Sequence, residues 1–260
     1  MLQGTFEFIG EDRQTLAPLF QGPKNGLIRS CLQGHMGQAF GDHPKKPSLA
    51  LLCLGDFASF SGDSQSPWAR HLAGKLTLQP GKTWFIAAQR GWEEPIRAWQ
   101  PQSMIEGTRY SIREETHFNP EFLERLAKDV PDGISLHNME EGLYQEAMAF
   151  PWSRDFCSVF QDEADYAKRG LGVGAIWEGE LVSGASSYAV YDGGLEIEVD
   201  TRPDMRRKGL AAACCARLIL RCIEGNIHPS WDAANTASVA LAQKLGYEMD
   251  ASYPIWEVRF

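Results

Sequence analysis

The chain has 260 residues, 43% of them hydrophobic, with eight tryptophans and a net charge of −9. Such a composition supports a packed core and excludes disorder. The acidic balance argues against sequence-independent binding to nucleic acid, which depends on neutralising phosphates.

The longest apolar run, at Leu49–Leu54, is far too short to span a bilayer. The N-terminal residues lack a basic region followed by an apolar stretch, so no secretory signal is expected. Leu49–Leu54 reads as a buried strand, 68–76 as a helix, and Thr83–Ala88 as another strand. A second short helix is expected at 92–99 and an extended segment at 103–114. Asn119, Pro120 and Glu121 together signal a helix start: a cap, a first-turn proline and an acid at the positive end. The domain organisation expected is an N-terminal α/β domain at 1–118, a connecting helix at 119–132 and a second domain at 133–260.

The second domain opens with a strand at 134–139 and helices at 140–149 and 159–169. Strands at 171–177 and 181–191 suit a hairpin around Glu178, Gly179 and Glu180. A strand at 195–201 leads to a long helix at 204–224, ended by Gly225 and Asn226. A short strand at 227–231, a helix at 235–245 and an extended segment at 247–258 complete the order, which is α+β with mixed sheet topology. No internal repeat is visible.

Six cysteines, at 31, 53, 157, 214, 215 and 222, have no C-x-x-C or zinc-like spacing, and no histidine pair sits at helical spacing. Reduced structural thiols, no metal and a cytoplasmic location are expected. The glycines at 170, 172 and 174 precede a strand instead of opening a helix, so they lack the geometry of a dinucleotide loop.

The most informative stretch is 196–212, where Arg206, Gly209 and Ala211 give an R-x-x-G-x-A spacing at the mouth of the long helix. A helix start offers main-chain donors without intrahelical partners and a partial positive charge, which suits a pyrophosphate. From Arg202 to Arg221 there are six basic residues and one acid in an otherwise acidic chain. Such a basic island is where an anionic ligand would dock.

This order of elements and this turn resemble the GNAT superfamily of acyl-CoA-dependent N-acetyltransferases over about residues 133–260. A second segment, SWDAAN followed by SVALAQKLGY, supports the resemblance. The wording is similar to a GNAT branch that includes zwittermicin A resistance acetyltransferases. The resemblance implies a GNAT-like mixed sheet flanked by helices in the C-terminal half, with a smaller α/β N-terminal domain that could be a degenerate copy. It implies that acetyl-CoA lies in a wedge between strands 195–201 and 227–231. Main-chain groups near Val199 and Thr201 would pair with the pantetheine arm. The N–H groups of Arg207, Lys208, Gly209, Leu210 and Ala211 would hold the pyrophosphate, with the Arg206 side chain beside it. Asn235 and Ser238 would close the wall, and the amide near Val199 would polarise the thioester carbonyl.

An amine must lose a proton to attack, and Glu196 and Glu198 lie on one face of the central strand under period-2 alternation. Either could be the base or attract a cationic substrate; Glu198 lies nearer the reacting carbonyl, and Asp232 is a weaker candidate. Many relatives carry a tyrosine where this chain has Ala242, so no general acid is assigned. Tyr247 reads as core. The N-terminal region is expected to cover part of the cleft. The activity implied is acetyl transfer to a small-molecule amine by direct attack in a ternary complex, and a homodimer is compatible with the sequence. The rivals are a CoA-binding regulatory protein without turnover and a general phosphate-ligand module.

Overall fold

The structure is a computed structural model that describes residues 4–20, 25–79, 81–140 and 142–260. In chain order its strands are β1 (Phe6–Phe8), β2 (Gln38–Gly41), β3 (Leu49–Leu54), β4 (Phe57–Gly62), β5 (Thr83–Ala88), β6 (Ser103–Ile112) and β7 (Ile134–Asn138). Then come β8 (Gly172–Trp177), β9 (Glu180–Tyr191), β10 (Gly194–Thr201), β11 (His228–Ser230), β12 (Asp232–Ala233) and β13 (Met249–Arg259). The α-helices are α1 (Gly26–Leu32), α2 (Ala69–Ala73), α3 (Glu93–Arg97), α4 (Pro120–Lys128), α5 (Leu143–Ala149), α6 (Glu163–Arg169), α7 (Leu210–Glu224) and α8 (Thr236–Leu245). Helices and mixed sheets in this proportion make an α+β protein.

The chain forms two compact units, one of residues 1–109 with 252–260 and the other of residues 110–251. The division therefore falls inside β6. The helix α4 belongs to the second unit, and the chain end returns to the first. Local punctuation at Asn119 marks a helix start, but long strands can carry a chain from one unit to the next without any turn signal.

In the first unit β1, β2, β3 and β4 pair antiparallel in succession, and β5 joins β4 in parallel. The end of β13 closes the row against β5, with Trp256 opposite Ile86. All six residues of β3 are buried, as a central strand covered on both faces requires. Leu49, Leu51, Leu72, Leu76, Ile86 and Trp92 anchor its core. Arg13, 9% exposed, donates to the carbonyls of Phe8, Cys31, Met36 and Gly37. Four carbonyl acceptors satisfy a buried guanidinium without a carboxylate.

The second unit repeats that strand plan. Its sheet runs β11, β10, β9, β8, β7, antiparallel except for the parallel β10 and β11. β8 and β9 join through Glu178 and Gly179, both at positive φ, the backbone of a tight hairpin. The middle strand β9 is buried from Leu181 to Tyr191, so it organises the sheet.

Side-chain caps start α4 (Asn119 accepting from Phe122 N–H), α6 (Asp162 from Asp165 N–H) and α8 (Asn235 from Ser238 N–H). The helix expected from 204 begins only at Leu210, after a short 3-10 turn at Pro203–Met205. Arg207 (φ +66°) and Gly209 (φ +84°) lie in the left-handed region, which a right-handed helix cannot pass through. The helix expected at 159–169 likewise begins at Glu163, behind its Asp162 cap.

Candidate active site

The site grows out of β10. The Arg202 N–H donates to the Val182 carbonyl at 2.9 Å, extending the antiparallel ladder in which Glu198 opposes Ser186 and Asp200 opposes Gly184. Main-chain groups alternate sides along a strand, so those of residues 198, 200 and 202 face β9 and those of Ile197 and Val199 face the other way. On that other side β11 accompanies β10 only from Gly194 opposite His228 to Glu196 opposite Ser230. Past Glu196 the two strands part, and the sheet has a fork. The break is helped by an irregularity between Glu196 and Ile197, where β9 carries the extra residue Tyr188.

At the far end of β10, Thr201 is already engaged. Its N–H donates to Asp200 Oδ1 at 2.7 Å, and its carbonyl accepts from Arg206 Nε at 3.0 Å. Arg206 also contacts Asp200 at 3.2 Å, so its guanidinium braces the strand end against the turn. The gap-facing main-chain pair is therefore Ile197 and Val199; Thr201, expected in that role, is held inside the turn. Arg207, Lys208 and Gly209 are exposed.

The turn delivers the chain to the start of α7, where Gly209 makes no side-chain cap. The contrast with the capped α4, α6 and α8 is informative. The longest helix of the unit, 15 residues, begins with N–H donors that no side chain covers. A residue with φ > 0 at Arg207 and another at Gly209 bend the peptide so that successive N–H groups can converge, a nest for an anion.

The two faces of β10 differ. Ser183, whose hydroxyl bonds that of Thr201 at 2.7 Å, also bonds Cys214 of α7, so the face of Ile197, Val199 and Thr201 lies under α7. Burial pushes the Cys214 and Cys222 thiols up to about 12, in keeping with inert core thiols.

The opposite face carries Glu196, Glu198 and Asp200. A Cβ on Gly184, the partner of Asp200, would fall 2.6 Å from the Phe156 ring. Ser186, the partner of Glu198, donates to the Phe156 carbonyl and bonds the Tyr166 hydroxyl, both at 2.7 Å. This face therefore looks toward the segment from α5 to α6. Glu196 is 5% exposed and Glu198 half-buried. Beyond them the rings of Tyr144, Tyr166 and Phe160 cluster with centroids 4.9–5.7 Å apart.

The glycines at 170 and 172 have a packing explanation: a Cβ at either would strike Tyr166, at 2.6 Å from its ring or 2.3 Å from its hydroxyl. Among the described residues no group of three His, Cys, Asp or Glu side chains could hold a metal, and no helix is long and apolar enough to cross a membrane.

Asn235 and Ser238 lie at the start of α8, where the cap bond and a Trp231 Nε1 contact to Ser238 at 3.1 Å hold the helix to the chain after β11. Asp232 lies in β12 and pairs with Ser111 of β6. Tyr247 is buried; its hydroxyl donates to the Pro229 carbonyl at 2.8 Å, and burial raises its pKa well above the usual tyrosine value. Ala242 is wholly buried. Sequence reasoning missed one polar pair at the fork, in which the Tyr191 hydroxyl hydrogen-bonds that of Ser230. The residues lie 39 positions apart on non-adjacent strands, and no local motif links them.

A family model described as GNAT acetyltransferase matches residues 17–256. An uncharacterised N-acetyltransferase, YdfB of Bacillus subtilis, is 30% identical over 129 residues, 49% of each chain, so the match spans about half the length of that curated relative. The crystal structure of a GCN5-related N-acetyltransferase-like protein from Streptococcus suis is 35% identical with a TM-score of 0.88, covering 96% of this chain and 99% of that one. A tandem GNAT protein from the clavulanic acid biosynthesis pathway shares the fold at 14% identity and a TM-score of 0.55, with 99% and 97% coverage. The chain belongs to the GNAT acetyltransferase family.

Proposed function

We propose that the chain is a cytoplasmic N-acetyltransferase that moves the acetyl group of acetyl-CoA to a primary amine of a small molecule, by direct attack in a ternary complex. The observation that carries this reading is the alignment of two features on one strand. The fork between β10 and β11 opens along β10, and β10 leads through the turn at 202–209 to the uncapped start of α7. A ligand with an extended amide-bearing arm and a diphosphate matches that pair of features. Its arm would lie beside Ile197 and Val199 as a strand would, and its diphosphate on the N–H groups from Arg207 to Ala211.

Acetyl-CoA supplies the activated acyl group. The protein supplies placement and proton handling. The Val199 N–H faces the gap and would stabilise negative charge on the carbonyl oxygen. Glu198, half-buried on the α5–α6 face, would take the proton of the attacking nitrogen, with Glu196 beside it. Two carboxylates next to the ring cluster of Tyr144, Tyr166 and Phe160 would favour a cationic acceptor. The similarity to the zwittermicin A resistance branch suggests an antibiotic-like polyfunctional amine.

The first unit reads as a closed copy of the same plan. Its parallel pair β4 and β5 stays in register to Phe60 opposite Ala88, and Phe60 stacks on Trp92 at 4.6 Å. Only Ser61 and Gly62 of β4 extend past that pairing, whereas β10 runs on from Ile197 to Thr201. We therefore assign the cofactor to the second unit alone.

Thermal-shift competition with CoA, ATP and NAD tests the binding half, since preferential stabilisation by CoA is expected. Free-thiol release from acetyl-CoA with a panel of amines tests the chemistry. CoA binding without amine-dependent release would favour a regulatory protein.

A further inference from the structure

We propose that the hydrogen-bonded hydroxyls of Tyr191 and Ser230 protonate the sulfur that leaves the thioester, taking the place of the tyrosine absent at Ala242; the inference rests on the acetyl-transfer reading above.

The fork closes at Glu196 opposite Ser230, the last register pair of β10 and β11. An arm entering from the start of α7 passes Val199 and then Ile197, so its thiol end points at that closure. Side chains of register partners lie on one face, which puts the Ser230 hydroxyl beside Glu196 on the face that also carries Glu198. Tyr191 reaches Ser230 by crossing Gly194, where a Cβ would fall 2.2 Å from the ring. Glycine at 194 thus makes the crossing sterically feasible.

Other nearby hydroxyls are occupied. The Tyr247 hydroxyl donates to the Pro229 carbonyl, and Ser186 donates to the Phe156 carbonyl. The hydroxyls of Ser183 and Thr201 bond each other on the α7 face. With Tyr191 donating to Ser230, the hydrogen of Ser230 can point to sulfur.

Once the attacking nitrogen is a neutral amine, its ammonium proton having gone to water, the balance closes without an external reagent. The nitrogen bonds the carbonyl carbon, the C–S bond breaks, and its electron pair stays on sulfur. Ser230 gives sulfur its proton and takes that of Tyr191. The nitrogen's proton passes to the carboxylate pair and returns to the tyrosine oxygen, leaving amide and thiol as products and the enzyme unchanged.

Two readouts test this in the full-length chain. The first is the pKa of the CoA thiol in its complex, followed by thiolate absorbance. Loss of a donor to sulfur should raise it by about one unit in Ser230→Ala, with a smaller rise in Tyr191→Phe. Ser230→Thr, which keeps the hydroxyl, should restore it. The second is the pH profile of turnover. Both deletion variants should lose about 10²-fold in kcat, mostly at pH values where the donor is protonated, so that the basic limb flattens, with the KM for acetyl-CoA within about twofold. Unchanged thiol pKa and unchanged kcat in folded variants that still bind CoA would overturn the proton-donor assignment alone. A wild-type chain that binds no CoA would overturn the acetyl-transfer reading, and this inference with it.

Discussion

Gly209 separates the anion cradle from an ordinary helix start. Its φ of +84° is a conformation that costs an L residue about 1–2 kcal/mol, and nothing else opposes a side chain there. The nearest heavy atom to an added Cβ is the Asp129 carbonyl oxygen at 3.9 Å, an ordinary contact. Gly209→Ala should therefore lower stability by about 1–2 kcal/mol through the backbone alone. Gly209→Asp should destabilise no more than alanine does, because aspartate tolerates the left-handed region better.

Affinity should follow a different order. A carboxylate about 6 Å from a diphosphate feels about 3 kcal/mol of repulsion per unit charge at an effective dielectric of about 20. The turn is exposed, so screening reduces this to about 1–2 kcal/mol, roughly a fivefold to thirtyfold loss of CoA affinity. Urea denaturation of the ligand-free variants and calorimetric titration with CoA give the two rankings. If the CoA affinities of the alanine and aspartate variants simply track their stabilities, no anion sits on this turn.

Three further outcomes are expected. Glu198→Gln should lower kcat by about 10–100-fold while leaving the CoA dissociation constant within about twofold; an unchanged rate at every pH removes Glu198 as base. Gly194→Ala should destabilise by about 2 kcal/mol or more, because its Cβ would displace the Tyr191 ring 2.2 Å away, and a neutral urea midpoint would contradict that packing. Burial pushes the thiols of Cys31, Cys53, Cys157, Cys214 and Cys222 up to about 12, against about 8.5 in the unfolded chain. Their contribution is complete below about pH 8.5. It falls as pH rises toward 12, where the unfolded chain has released protons that the folded chain still holds, by about 1.4 kcal/mol per thiol per pH unit. Urea midpoints at pH 8.0 and 9.5 measure the drop, and a flat profile refutes it.

The elements of the second unit were legible because their signals are local. Leu49–Leu54 in the first unit and the hairpin at Glu178 and Gly179 in the second needed only apolar patterning and turn chemistry. The errors lie where tertiary contacts decide. A polar run at 204–209 continues helical composition into α7, and only the positive φ at Arg207 and Gly209 turns it into a loop. β4, FASFSG, carries too few branched residues to signal a strand, yet it pairs on both sides, with β3 and β5.

The same division runs through the site. The R-x-x-G-x-A turn is a contiguous motif, and the structure places it at an uncapped helix start. The resemblance implies pairing of Thr201 with the cofactor arm, but Asp200 and Arg206 claim its main-chain groups, a competition that composition cannot reveal. Tyr191 and Ser230 meet only because β9, β10 and β11 align in register and Gly194 leaves room between them. A contact between non-adjacent strands depends on the whole sheet, so the chemistry it supports becomes visible only when that sheet is assembled.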